Sequence, residues 1–479
     1  DLKPEDITFL DPACGSGHIL VYAFDILYEI YQKNGYHPRL IVENILEKNL
    51  YGLDIDKRAT QLSKFALMMR ARQKDRSILE KDIYLNIASI EESNQIQERT
   101  IDYFTKDLNK AYKNQFKQLL NTFKYAKEYG SILKVDDFDY EILNNHLESL
   151  LLNEDLTTFN LEHKNQIIEK IKPLLEQGRI MSQRYDVVVT NPPYAGGRKL
   201  PKNLKSFLKK NYSDVKKDIF SVFIERNYDY TKEGGHLGFM TPFVWMFISS
   251  YEKLRKKMID EKNITSLVQL EYSGFAGATV PICTFTLRNA KTEETGEFIK
   301  LSDFRGSKNQ PIKTKEAVLN SDVDYRYTAK TENFKKIPGY PVAYWISNSF
   351  INLFKETSLK EYSEIITGMS TGNNKEFLRN WFEVEYKKVK FNYDEISDID
   401  LDVPNWLPYN KGGVRRNWYG NNEYVVNWSR KTEFNRPRTT FEHLYFRKGL
   451  TWPFVTSGKF SIRYFRNGFL WDVAGSPCF

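Results

Sequence analysis

The stretch Asp186 to Gly197 reads DVVVTNPPYAGG, a β-branched run that ends in an Asn, two prolines and a Tyr. Val187 to Thr190 suit a strand covered on both faces, as in a parallel sheet. Pro192 and Pro193 stop that strand, because neither donates a backbone hydrogen bond and each fixes its own φ. A stiff loop at a strand's C-terminal end follows, the place where open α/β sheets hold ligands. There the Asn191 carboxamide oxygen and the Pro192 carbonyl provide two acceptors at a fixed angle. Such a pair suits a planar amino group: bonds to both of its protons draw the nitrogen lone pair out of ring conjugation and make it nucleophilic. Tyr194 offers a face on which an amino-bearing ring stacks, and the prolines set the geometry in advance. A Pro-rich turn with no ligand is the competing reading.

A second constellation lies near the start, where FLDPACGSGHIL puts a Gly-rich turn between a strand and a helix. Gly15 and Gly17 let backbone approach a ligand, and the helix N-terminus offers unpaired N–H groups. The dinucleotide fingerprint fails, since its third Gly falls at Leu20, which leaves a cofactor held by something other than a pyrophosphate. Asp54, in YGLDID, ends the next strand, from which a carboxylate accepts hydrogen bonds from ribose hydroxyls. Asp56 competes for that role, or caps a helix beginning at Lys57.

These groups need a sheet to hold them. ITFLD, LYGLDID and IYLNIASIEES read as strands, and HILVYAFDILYEIYQKNG and KRATQLSKFALMMRARQKD as helices. Strands alternating with helices predict an α/β, doubly wound, Rossmann-like parallel sheet. Charged helical segments such as LEHKNQIIEKIKPLLEQG then predict a helical insertion, and the α/β pattern resumes at Tyr185. The expected organisation is residues 1–93 and 184–300 as the cofactor domain and 94–183 as the insertion. A connector at 301–360 then leads to a mixed α/β recognition domain starting at 361–479.

At 479 residues the chain exceeds the single-domain ceiling of roughly 250–300 residues. It begins at Asp1 without Met and ends at AGSPCF, as a piece of a longer protein would. No apolar run approaches the roughly 20 residues of a membrane span. Cys14, Cys283 and Cys478 and the six histidines have no metal-knuckle or redox spacing, so no metal is expected and the reducing cytoplasm is the expected setting. Residues 411–479 carry twelve Lys and Arg against four acids, an excess equal to the +8 of the whole chain, so residues 1–410 balance. Sixteen aromatics, including Trp418, Trp428, Trp452 and Trp471, are interleaved with that charge, the footprint of a nucleic-acid surface. Arg415, Arg416, Trp418, Arg436 and Arg438 are the candidate contacts, with core aromatics and a solvated basic face as the alternative.

DPACGSG followed by NPPY resembles the S-adenosylmethionine-dependent amino-methyltransferases, in particular the DNA adenine-N6 enzymes, over roughly residues 7–290. The resemblance implies that Asp11, Pro12, Ala13, Gly15 and Gly17 line the methionine end of the cofactor and that Asp54 binds its ribose. It also implies that Asn191, Pro192, Pro193 and Tyr194 hold a flipped adenine, with Phe275 in GFAGATVPICTFTL as the second stacking ring. The adenine-ring contact of the cofactor falls to Glu92, before Glu91 or Asn86, since the usual Asp is missing. In the C-terminal half, GNNKEFLRNWFEV, PYNKGGVRRNWYGNNEYVVNW and WDVAGSP resemble the adenine-specific methyltransferases of bacteriophage exclusion (BREX) systems, the PglX family. That implies a bacterial cytoplasmic protein that marks double-stranded host DNA at a short, asymmetric site. Its implied partners are other proteins of the same defence system and phage-encoded DNA-mimic inhibitors. The alternatives are the methyltransferase half of a fused restriction-modification enzyme and a recognition subunit inactive without partners. A protein-methylating enzyme also uses N-P-P-Y, but leaves residues 361–479 without a task.

Overall fold

The computed structural model describes residues 2–152, 158–197, 200–272, 274, 280–391, 393–395, 399, 405–454 and 460–479. The chain forms two compact units, Asp1–Asn352 and Leu353–Phe479. The first is built on nine strands: β1 (Phe9–Asp11), β2 (Leu50–Asp54), β3 (Ile87–Ser89), β4 (Tyr185–Thr190), β5 (Thr231–Pro242), β6 (Asn263–Gln269), β7 (Ile282–Arg288), β8 (Thr295–Lys300) and β9 (Arg326–Lys330). Their order is β3-β2-β1-β4-β5-β7-β6-β8-β9. The run from β3 to β5 is parallel, and β7 lies antiparallel between β5 and β6. The α/β, doubly wound expectation holds. The strand order reverses between β1 and β4, so a crevice forms beyond their C-terminal ends.

Helix His18–Lys33 buries Leu20, Phe24, Leu27, Tyr28 and Tyr31 at the spacing of one helical face. Asn34 and Gly35, the latter at φ +78°, end it. Helix Lys57–Lys74 starts at Asp56, whose Oδ1 accepts the Arg58 N–H at 2.8 Å. The insertion is helical, with helices Glu98–Thr105, Lys110–Thr122, Tyr140–Leu152, Thr158–Gln166 and Lys172–Ser182. Its Phe104, Phe116, Leu143 and Leu175 share one hydrophobic cluster with Leu53, Tyr185 and Val188 of the strands, so it covers a face of the sheet.

The expected connector differs from the structure: β9, paired with β8, extends the sheet past residue 300. β9 reads RYTAK, has no fully buried residue, and is held by ion pairs of Arg326 to Glu297 and Lys330 to Glu293. An edge strand of this kind carries no apolar alternation to read.

In the second unit, β10 (Leu378–Asn380), β11 (Trp406–Asn410), β12 (Tyr424–Asn427) and β15 (Leu470–Trp471) form one sheet in the order β10-β12-β11-β15. β13 (Gly449–Pro453), β14 (Arg463–Phe465) and β16 (Gly475–Cys478) form the other, in the order β14-β13-β16. Tyr409, Trp428, Tyr445, Phe465 and Trp471 make up much of its core. Trp428 and Trp471 therefore leave the set of surface aromatics expected from composition. Among the described residues no helix is long and apolar enough to cross a membrane.

Candidate functional site

The Gly-rich turn leaves β1 at Asp11 and is pinned to β2. The Cys14 N–H donates to Leu53 O at 2.9 Å, and the Gly15 N–H donates to Asp54 Oδ2 at 2.9 Å. Asp54 Oδ1 accepts the Asp56 N–H at 2.8 Å. Each Asp54 oxygen keeps a lone pair, and the side chain lines a cavity of about 440 Å³ together with Pro12, Ala13, Asn191 and Pro193. That volume lies within the roughly 300–1,000 Å³ of small-molecule sites. Asp56, the alternative, is spent on capping its helix.

Asp11 is buried beneath the turn and accepts the Ala13 N–H at 3.1 Å. Burial pushes its carboxyl up to about 7, opposed by the Ala13 N–H and the Thr190 hydroxyl and helped by the charge of Asp54. Gly17 stands at φ +86°, where a Cβ would lie 2.5 Å from Ser63 Oγ.

On the facing side of the crevice, the ladder of β4 with β5 ends at Thr190 and Phe239, leaving Asn191–Tyr194 outside it. Asn191 is exposed. The Tyr194 hydroxyl lies 2.8 Å from Asn191 Oδ1 and 3.0 Å from Met240 O, and its ring meets Phe220 edge-on. With the hydroxyl on one lone pair, Asn191 Oδ1 keeps the other for an amino proton. Burial raises the Tyr194 phenol to about 12, so it remains a neutral donor at physiological pH. Asp218 fixes the far end of the loop: its Oδ1 accepts the Ala195 N–H at 3.1 Å.

Of the sequence candidates, Pro12, Ala13, Asp54, Asn191 and Pro193 line the cavity, whereas Asp11, Gly15, Gly17, Pro192 and Tyr194 do not. Glu92 is not among the residues lining the cavity. Its Oε1 accepts the Lys127 N–H at 3.2 Å and its Oε2 the Asn94 amide at 3.3 Å. The chain beyond β3 is drawn toward the insertion, where Ser93 bonds to Phe123 O and Leu120 O. The other two options for that contact are also engaged, Glu91 by Lys127 at 3.3 Å and Asn86 by Arg179 at 2.6 Å. Phe275 lies outside the described residues.

The wall that sequence reasoning missed comes from the insertion. Gly130, Ser131 and Ile132 line the cavity. Ser131 Oγ donates to Pro12 O at 2.5 Å, while Tyr230 and Tyr212 donate to Ser131 O and Ile132 O at 2.7 and 2.6 Å. The one local signal was Gly130, at φ +61°, and these contacts reach across about a hundred residues of sequence.

The second unit presents an exposed turn, Gly413–Tyr419. Trp418 is 79% exposed at φ +70°, with its backbone held by Ile462 O and Tyr464 N. A non-glycine residue in this region is strained, and such strain clusters at functional positions. Arg415 is exposed on the same turn. Arg416 Nε donates to Asn421 Oδ1 at 3.0 Å. Arg436 is exposed and pairs through its backbone with Ser370. Arg438 is half-buried over the Phe441 ring.

Residues 48–275 match the family described as Eco57I restriction-modification methylase. The fold is shared with a nuclease-deletion mutant of the Type ISP restriction-modification enzyme LlaGI, solved with a DNA substrate mimic. The TM-score is 0.53 at 11% identity, over 99% of this chain and 39% of that one.

The particular resemblance is tighter: the whole chain is 36% identical to Adenine-specific methyltransferase PglX of Lacticaseibacillus casei (strain Zhang), covering 41% of that protein. It is also 36% identical to Adenine-specific methyltransferase BrxX of Escherichia coli O9:H4 (strain HS), again over 100% of this chain and 41% of the relative. Over its whole length the chain is similar to these adenine-specific methyltransferases, and it spans about two fifths of their length.

Proposed function

We propose that this chain is the catalytic part, and the start of the target recognition domain, of a site-specific DNA adenine-N6 methyltransferase. The observation that carries the reading is the meeting of Asn191 and Pro193 with Pro12, Ala13 and Asp54 on one cavity at the strand-order reversal. S-adenosylmethionine, when bound, supplies a methyl group activated on a sulfonium.

Asp54 would accept the ribose hydroxyls and Asp11 would face the methionine end. Asn191 Oδ1 and Pro192 O would hold the two protons of an adenine amino group, keeping its lone pair localised. Tyr194 would give the base a ring to stack on, which returns roughly 1–3 kcal/mol against a flipping cost of a few kcal/mol. The recognised site is short and non-palindromic. The setting is the bacterial cytoplasm, in a BREX defence system whose other proteins read or use the mark and which phage DNA mimics would block. The family description favours one second reading, the methyltransferase part of a fused restriction-modification enzyme, which the full-length protein would reveal by cutting unmodified DNA.

Two measurements test the reading. Labelled methyl from S-adenosylmethionine should enter double-stranded DNA and not protein or RNA; label in protein alone would overturn it. The second is pH dependence. A cationic amino group held beside Asp11 would favour the ionised carboxylate, so cofactor affinity should rise with pH and level off above about 7. The loss should be on the order of tenfold per unit below that. In Asp11→Asn the titration curve should be flat, and a flat wild-type curve would remove Asp11 from the cofactor site. The sign for folding is opposite: a buried carboxyl with a raised pKa costs stability as pH rises from the ordinary carboxylate range through about 7.

A further inference from the structure

The charge balance of residues 1–410 conceals a local excess. Residues 200–217, LPKNLKSFLKKNYSDVKK, hold six lysines against one acid, Asp214. Helix Lys202–Asn211 buries Leu204 and Leu208 and leaves Lys202, Lys205, Lys209 and Lys210 exposed, and Lys216 and Lys217 follow, exposed as well. Asp214 is taken by Lys253 at 2.6 Å. Among the described residues, no ion pair engages Lys202, Lys209, Lys210, Lys216 or Lys217.

This segment is fastened to the catalytic loop. The Gly197 N–H donates to Lys217 O at 2.8 Å, and the Ile219 N–H to Ala195 O at 3.3 Å. A Cβ on Gly197 would press within 3.2 Å of Lys217 O, so the two backbones run in close contact. Lys217 O is thus bonded three residues beyond Tyr194, a reach of about 10 Å at most in extended chain. On one DNA strand that spans about three phosphates at roughly 3.4 Å of rise each. Lys216 and Lys217 line a groove of about 470 Å³ with Lys253, Lys256, Ser249 and Ser250, and with two carboxylates, Asp214 and Glu252.

We propose that Lys209, Lys210, Lys216 and Lys217 form a phosphate-binding surface for the DNA backbone flanking the flipped adenine, carried by the catalytic unit itself. This rests on the DNA-methyltransferase reading above. A polyanion matches a segment of exposed ammonium groups that no ion pair engages, and its contacts position the duplex without reading sequence.

The test is the full-length protein carrying Lys209→Gln, Lys210→Gln, Lys216→Gln and Lys217→Gln together, with DNA affinity measured across a salt series. The log-log slope should flatten by about 0.9 for each phosphate that the variant no longer neutralises. KM for DNA should rise, with kcat at saturating DNA and cofactor affinity unchanged. An unchanged slope beside normal wild-type DNA binding would overturn the surface and leave the methyltransferase reading standing. A wild type that neither binds nor methylates DNA would overturn both.

Discussion

Replacing Asn191 by Ala should abolish methyl transfer while the protein stays folded and binds its cofactor. Asn191 is exposed, and the Tyr194 hydroxyl that it accepts has Met240 O at 3.0 Å as a second partner. Surface changes of this kind usually stay within about 0.5 kcal/mol of stability. On the proposed reading, catalysis loses the acceptor that would hold the amino lone pair localised. Removing one preorganised polar group from a reacting centre costs on the order of 10²–10³ in rate, and here the second acceptor alone cannot fix the amino group's orientation. Single-turnover methylation with calorimetric cofactor binding measures both sides. Transfer within a few fold of wild type would remove Asn191 from the chemistry.

Gly17→Ala should destabilise the first unit by about 2–4 kcal/mol, with cofactor binding lost alongside. The φ of +86° costs a residue with a Cβ roughly 1–2 kcal/mol. The new Cβ would also sit 2.5 Å from Ser63 Oγ and 3.0 Å from Ser63 Cα. Ser63 is fully buried in helix Lys57–Lys74, so it cannot swing away. Adding Ser63→Gly should recover part of the loss, since it removes the side-chain overlap and leaves the φ cost and the backbone contact. Gly15→Ala is the control: its φ is +52° but no atom lies within 4 Å of the added Cβ, so only the conformational cost remains. Urea unfolding of the three variants measures the series, and equal losses at Gly15 and Gly17 would refute the steric account.

The parts of the site that sequence made legible are those fixed by local chemistry. Two prolines must end β4, glycines must make the turn after β1, and an Asp before Lys57 caps a helix, which left Asp54 for the cavity. What escaped depends on long-range packing. Gly130–Ile132 reach Pro12 through a fold that no spacing encodes, and Glu92 is pulled away by Lys127 and Asn94. Composition misled in two places. Trp428 and Trp471 are fully buried in the second unit's core while Trp418 is exposed, although all three lie in the same basic, aromatic stretch. Summing charge over residues 1–410 also averaged away the lysines at 200–217, which stand out only on a window of about one helix.

The central claim, transfer to the amino group of adenine in DNA, is tested most directly by mapping N6-methyladenine. Double-stranded DNA is incubated with the full-length protein and S-adenosylmethionine, then read by single-molecule sequencing beside an Asn191→Ala control. The expected result is one discrete, asymmetric motif modified at adenine by the wild type alone. Unmodified adenine despite bound cofactor, or the same marks from Asn191→Ala, would contradict it.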